Sequence, residues 1–353
     1  MNEFLVISSE DIFWSEIFKE LPEQQQDVFF SQFYAILCQK FFYMEHEVFA
    51  AIQKTSEAIL IYPFVKRDLR VIIDRKDVPN YFDIRGLYGR SGLAATSHDS
   101  FSIQLFWENF YVYCDNNSIF SSFSRLHPNM IETYNDQSRF ITRKYGSEVV
   151  VDTSMARDDI LINANHSVRK NWKKSLQNEF VFNENIELDQ IGDLYILYLE
   201  TLERNSARDF YNFSYEFFLS LISDNNGLAK LYYVTFKESI ITFEIILLNG
   251  IYAHSYLGGT STEFLKKQAN TFLKVNIFDS LKKIGIKNYL LGGGTSENDQ
   301  IFKYKSSFAP NSTKSSYIEA SVLNPKKYQE IYDFCKFNDL KITENRVQFY
   351  DNS

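Results

Sequence analysis

Along AKLYYVTFKESIITFEIILLNGIYAHSYL (229–257), apolar and β-branched residues fill three stretches, broken first at Lys237-Glu238-Ser239 and then at Asn249-Gly250. Asn-Gly between apolar runs predicts a hairpin with a type I′ turn, which needs positive φ at both central residues. The pattern therefore predicts an antiparallel three-stranded meander. Periodicity then changes to helical in NTFLKVNIFDSLKKIG, where Phe272, Leu273, Ile277, Leu281 and Ile284 share one face and Gly285 stands where a C-terminal cap belongs. IKNYLL returns to a strand and runs directly into Gly292, Gly293 and Gly294. Upstream, EFVFNENIEL reads as a strand, with DLYILYLETLER and SYEFFLSLISD as helices, the second capped by Ser214 or Asn212. Downstream, Glu297 to Phe302 predicts a short helix, SSYIEASVL a strand, and the residues after Pro325 a last helix. From about residue 178 the predicted order is β-α-α-β-β-β-α-β-α-β.

The first 150 residues repeat this rhythm less sharply. Two helical stretches, DIFWSEIFKEL and DVFFSQFYAILCQKF, precede a hairpin in HEVFAAIQKTSEAILIYPFV with Lys54-Thr55-Ser56 as its turn. The loop-rich YFDIRGLYGRSGLAATS leads to a helix, FSIQLFWENFYVYC, and a strand, SIFSSFSRL. Helix-helix-hairpin-helix-strand in both halves predicts two copies of one mixed α+β module, each a mainly antiparallel sheet flanked by helices. The polar stretch DTSMARDDILINANHS (152–167) reads as the hinge between domains at 1–155 and 156–353.

Composition narrows the class. With 353 residues, 45% apolar, 23% charged and 17% aromatic, the chain can bury two cores and is not disordered. A net charge of -8 argues against a protein that mainly coats nucleic acid. Cys38, Cys114 and Cys335 are three and far apart, which fits a reducing, cytoplasmic setting, and no apolar run reaches the length of a membrane span. Contact with the inner face of a membrane is at most peripheral. The five histidines lack zinc-ligand spacing, so no metal is expected.

Candidate chemistry concentrates in LLGGGTSENDQIFKYKSSF (290–308). Glycines leaving a strand either make a plain turn or present backbone N–H groups to an anion or a developing oxyanion. Neither a P-loop nor a GxGxxG fingerprint is present. Lys303 and Lys305 point apart on a helix, so at most one need line a site; Lys305 stands three residues before Phe308. In HSVRKNWKKS a helix would gather Arg169, Lys170, Lys173 and Lys174 on one broad face, as a phosphate-binding surface or a solvated one. In YAHSYLGG, alternation puts Tyr252, His254 and Tyr256 on one strand face as a polar wall. His254 there is either a proton acceptor for an amine or a structural histidine. Arg204, ending its helix, could clamp an anion or complement the helix C-terminus.

NYFDIRGLYGRSG, FSRLHP, VVVDTS, YLETLERNSARDFY, YAHSYLGGTSTEF and NYLLGGGTSENDQIFKYKSSF occur in an order that spans about residues 79 to 310. On these stretches the region 178–322 is similar to the GNAT acyltransferase fold, and the chain resembles the Fem family of non-ribosomal peptidyl transferases, which carries two such modules. The resemblance implies transfer of an aminoacyl group from aminoacyl-tRNA to an amine of a cell-wall precursor, with no tightly bound cofactor; relatives in polysaccharide clusters are thought to modify sugars from acyl-CoA. It implies that Lys305 and Phe308 lie near the donor and reaction centre. Tyr88, Arg204 and Tyr256 match acceptor and phosphate contacts, and Asp299 matches the acidic residue before the lysine signature, in either a catalytic or a structural role. Lys305 and the amides of Gly292 to Gly294 would hold oxyanion or donor charge, Tyr256 or His254 would orient the acceptor, and Lys303, Arg169 and Lys173 are further candidates for substrate and donor phosphates. The chain departs from ordinary GNAT enzymes at LGGTSTEFLKKQAN, which lacks their Gln/Arg-x-x-Gly-x-Gly/Ala pyrophosphate loop, although Lys266 and Lys267 stand there. The leading expectation is an acyltransferase acting on a nucleotide- or lipid-linked envelope precursor of peptidoglycan or surface polysaccharide, with aminoacyl-tRNA as donor. The alternatives are an acyl-CoA-dependent sugar N-acyltransferase and a non-catalytic scaffold.

Overall fold

The computed structural model describes residues 2–130, 139–184, 190–207, 211–223, 227–294 and 299–351. In chain order the elements are β1 (Glu3–Ser8), α1 (Phe13–Glu20), α2 (Gln32–Phe41), β2 (Glu47–Lys54), β3 (Ile59–Asp68), α3 (Leu69–Ile72), β4 (Phe82–Arg85), β5 (Ala94–Ala95), α4 (Ser100–Asn116) and β6 (Ile119–Arg125). There follow β7 (Ile141–Asp152), α5 (Arg157–Asn163), α6 (His166–Ser175), β8 (Val181–Asn183), α7 (Ile191–Arg204), α8 (Tyr215–Ser223), β9 (Ala229–Phe236), β10 (Ser239–Asn249), β11 (Tyr252–Thr260), α9 (Ala269–Lys283), β12 (Asn288–Gly292), α10 (Gln300–Ser306), β13 (Thr313–Val322) and α11 (Pro325–Phe337). The mixed α+β class holds, and the order read from residue 178 is the order observed. The strands that the sequence pattern does not announce, β1, β4, β5 and β7, are short or polar. The outer parts of two expected elements, 185–189 and 295–298, lie outside the described residues.

The chain divides into two units, residues 1–145 with 315–353, and residues 146–314. This differs from a boundary at 155/156. The stretch expected to be a hinge is structured within the second unit, where α5 and the start of α6 place Ile160, Leu161, Ala164 and Val168 in its core. The last segment joins the first unit because Ile318–Val322 of β13 pair antiparallel with Ser121–Arg125 of β6, while Ile331 and Cys335 of α11 pack with Leu69 and Phe120. Strand exchange over that separation leaves no trace in local pattern.

Each unit has the same strand plan. In the first, β1-β2-β3-β4 are antiparallel neighbours, β4 runs parallel to β6, and β13 closes antiparallel. In the second, β8-β9-β10-β11 are antiparallel, β11 is parallel to β12, and β7 closes antiparallel. The two-residue hairpin loops correct the expected turn chemistry. Lys237 and Glu238, between the paired Phe236 and Ser239, carry φ of 49° and 69°, the type I′ pattern. In the other hairpin Asn249 pairs with Tyr252, and of the two loop residues only Gly250 has positive φ, as a type II′ turn requires.

Helix faces follow the periodicity. In α4, capped by Asp99 accepting from the Ser102 amide at 2.7 Å, the residues Ile103, Phe106, Trp107, Phe110 and Cys114 recur at helical spacing and are buried against Tyr62 and Phe64 of β3. In α9, Leu273, Ile277 and Leu281 are fully buried, but Ile284 is 44% exposed because the helix stops one residue before it. All three cysteines are buried thiols, and no helix among the described residues is long and apolar enough to cross a membrane.

The first unit encloses ionised side chains that the sequence pattern does not announce. Arg67 bonds both oxygens of Asp83 (2.8 and 2.7 Å) and one of Asp351 (2.7 Å), while Tyr350 donates to Asp83 at 2.8 Å. His127 Nδ1 accepts from the Asn129 amide, which leaves Nε2 to donate to Asp27 at 3.1 Å; Asp27 also caps the turn at Val28–Phe30. Removing one member of a buried charge network strands the others without solvent. Arg67→Met is therefore expected to destabilise the first unit by about 3–5 kcal/mol, read as a lowered urea midpoint at unchanged slope.

Candidate active site

The second unit's sheet opens into a fork. The parallel strands β11 and β12 pair only at Tyr252–Asn288, Ala253–Tyr289 and His254–Leu290; β11 then continues to Thr260 and β12 to Gly292 without meeting. A register shift between Leu290 and Gly292 against β7 turns β12 away. Backbone groups beyond a ladder's end are left to bind something else.

At the mouth of this fork the glycines, Asp299 and Lys305 come together, as the sequence suggested. Gly292 has φ of 78°, a conformation that admits glycine readily, and a Cβ there would stand 3.4 Å from Lys305 Nζ. Lys305 donates to the carbonyl of Gly293 at 2.9 Å, so the lysine meets a loop carbonyl rather than the amides expected to assist it. Asp299 caps α10, accepting from the Phe302 amide at 2.7 Å, and lies so close that a Cβ on Gly294 would fall 2.3 Å from its carboxylate. The three glycines thus answer the geometry of the turn and the cap.

Other candidates are placed differently. Phe308 is 1% exposed and packs on Phe278 of α9, with ring centroids 6.2 Å apart; it is core and not a substrate contact. Lys303 is exposed on the opposite side of α10 from Lys305, as a 200° separation demands. Arg169 does not join a cationic face: its guanidinium donates to the carbonyls of Ile162 at 3.0 Å, Leu161 at 3.3 Å and Ala164, closing the C-terminus of α5. Lys170, Lys173 and Lys174 remain exposed on α6. Arg204 donates to Thr260 O at 2.8 Å, Thr262 Oγ1 at 3.0 Å and Thr201 Oγ1 at 3.2 Å, holding the segment that leaves β11. Glu200 accepts from the Thr262 amide at 2.8 Å; these bonds to Thr262 keep its carboxyl below the ordinary range.

On β11, Tyr252 and His254 are buried and Tyr256 is partly exposed. Ile245 pairs with Leu257 and Ile246 with Ser255, so Tyr256 is the extra residue of a β-bulge; its ring lies 6.4 Å from Phe217 of α8. Tyr88 belongs to the first unit, where its carbonyl accepts from Tyr34 at 2.7 Å and its ring packs 4.8 Å from Phe42.

Sequence reading missed Glu244, Lys274, Ser255 and Tyr289. They meet on the α9 side of the sheet, where Lys274 Nζ donates to both Glu244 oxygens at 2.5 and 2.6 Å. Burial first, and then the Glu244 carboxylate, hold the Tyr289 phenol well above its ordinary pKa, so it is a protonated donor. A signal existed: Glu244 is the one charge in the apolar run IITFEIILL, and Lys274 sits among the apolar residues of TFLKVNIF. A lone charge inside an apolar element implies a buried partner.

Residues 163–306 match the family model described as Acetyltransferase (GNAT) domain, from the last residue of α5 to the last of α10. The second unit carries a GNAT acyltransferase domain. No curated protein matches the chain by sequence. The solved structure of FemX aligns with a TM-score of 0.70 at 11% identity, over 94% of this chain and 99% of that one. A C-terminal domain assigned to a lysylphosphatidylglycerol synthetase of Agrobacterium fabrum gives 0.55 at 13% identity, over 94% and 97%. A tandem GNAT protein from the clavulanic acid biosynthesis pathway gives 0.51 at 10%, over 92% and 99%. The chain therefore has the Fem-like tandem GNAT fold expected from its sequence.

If Asp299 acts as a helix cap, Asn, which caps as well, preserves stability, whereas Ala loses about 1 kcal/mol. Asp299→Asn is expected to melt with the native protein and Asp299→Ala below it in a thermal scan.

Proposed function

We propose that the protein forms an amide between an acyl group and an amine of a nucleotide- or lipid-linked cell-envelope precursor, with aminoacyl-tRNA as the donor. The observation that carries the reading is Lys305, held on the Gly293 carbonyl at the open end of the fork in a GNAT acyltransferase domain. In the reaction the amine nitrogen attacks the ester carbonyl, the carbonyl becomes a tetrahedral oxyanion, and the C–O bond to the tRNA ribose breaks. The proton lost by the amine ends on the departing oxygen. A lysine ammonium aimed at that place lowers the energy of the oxyanion and of the leaving oxygen. His254 and Tyr256, on the strand forming the other arm, would orient the amine.

The choice of donor is supported by the segment before α9. Thr262–Lys267 form a 3₁₀ turn with Phe264 buried in the core, and the cap residue before α9, Gln268, has φ of 67°. A turn so filled differs from a glycine-rich loop that wraps a pyrophosphate. The second reading, an acyl-CoA-dependent sugar N-acyltransferase, is favoured by Lys266 and Lys267 immediately before that helix.

The test is intact-mass analysis of products after incubating the purified protein with the cell's precursor pool and either charged tRNA or a mixture of acyl-CoAs. A tRNA-dependent aminoacyl mass shift, abolished by ribonuclease, is expected; a CoA-dependent shift would move the protein to the second reading, and no shift would leave a non-catalytic scaffold. Lys305→Ala is expected to slow transfer by about 10²–10³-fold, the effect of removing one oxyanion donor, with little change in melting temperature.

A further inference from the structure

Four polar side chains sit together at the closed end of the fork. Lys274 Nζ, besides its bonds to Glu244, donates to Ser255 Oγ at 3.1 Å and to the Tyr289 hydroxyl at 3.0 Å, and Tyr289 donates to Glu244. Their place is set by the ladder. Ser255 is the first residue of β11 past the last parallel pair, and Tyr289 precedes Leu290, its last partner on β12. Glu244, Lys274 and Tyr289 are at most 6% exposed; Ser255 is partly exposed. An apolar core of the same volume is commonly as stable as a buried ion pair or more so, so stability alone does not account for the cluster.

Ser255 is the partly exposed member of the cluster, so a group that entered the fork as far as its closed end would meet its hydroxyl with the ion pair behind it. An aliphatic chain there would cover the partly exposed hydroxyl of Ser255 while returning no hydrogen bond, whereas a terminal hydroxyl or amine returns one. Resting on the acyl-transfer reading above, we propose that Ser255 with Glu244, Lys274 and Tyr289 selects the transferred acyl group, admitting a short group that ends in a hydroxyl or amine and refusing an aliphatic one.

The full-length protein would be given glycyl, seryl, 4-hydroxybutyryl, butyryl and hexanoyl groups, the first two on tRNA and all five as coenzyme A thioesters, with products read by mass. The native protein is expected to transfer the polar-ended groups at least roughly tenfold faster than butyryl or hexanoyl on the same carrier, the scale on which a hydrogen-bonding pocket discriminates. The variant E244L/K274M/Y289F, which removes every charge at once, is expected to keep its melting temperature and reverse that ranking. Ser255→Ala, at a partly exposed position, provides a second reading and is expected to reduce the polar preference severalfold at unchanged melting. An aliphatic preference in the native protein, or a ranking unmoved in both variants, overturns the proposal while transfer itself stands. Absence of transfer from every donor overturns the acyl-transfer reading and this selection with it.

Discussion

A parallel ladder of three residue pairs, Tyr252 to His254 against Asn288 to Leu290, governs the second unit. Parallel pairing needs a crossover, supplied here by α9, whose buried face covers the sheet and whose Lys274 reaches beneath it. Because the ladder stops early, β12 bends away through a bulge and delivers its three glycines to the start of α10. Lys305 can then bond Gly293 from the helix, and Asp299 can cap that helix against Gly294. A ladder one pair longer would bring Ser255 and Leu291 into register and shorten the fork.

Much of this was legible in the chain, and the reason is local. Leu273, Ile277 and Leu281 report a helix face whatever they pack on, and the β9-β10-β11 meander is written in short-range alternation. The errors arose where a residue's meaning depends on what approaches from elsewhere. Arg169 looks like one of four cations on α6, but the carbonyls that end α5 turn it inward. Phe308 looks like a companion to Lys305, but α9 lies across it. The Asn-Gly pair drew the type I′ expectation that Lys237 and Glu238 in fact fulfil, since strand register decides which residues stand at the tip. Glu244 and Lys274 are far apart in sequence, and only the fold makes them a pair.

The same tension appears at the level of whole elements. Asp152 to Ser167 is polar enough to resemble a linker, yet four apolar residues spaced along α5 and α6 suffice to seat it in a core. Polarity of composition describes the exposed side of a short helix as well as it describes a loop. Burial of the ion network around Arg67 carries a related lesson: charged residues near Asp351 serve the interior of the first unit, where sequence alone would leave them in water.

The order in which strands are made sets a timetable for folding. The second unit draws on one continuous stretch, 146–314, but the first lacks β13 and α11 until the end of that stretch has been synthesised. Between the emergence of β6, ending at Arg125, and of β13, beginning at Thr313, a ribosome working at roughly 5–20 residues per second takes about 10–40 seconds. Through that interval β6 has one edge without its final neighbour, and Phe120 lacks the helix that covers it. The nascent first unit must wait, half-closed, for a later part of its own chain, and an open strand edge of that kind is where chaperones and unwanted partners compete.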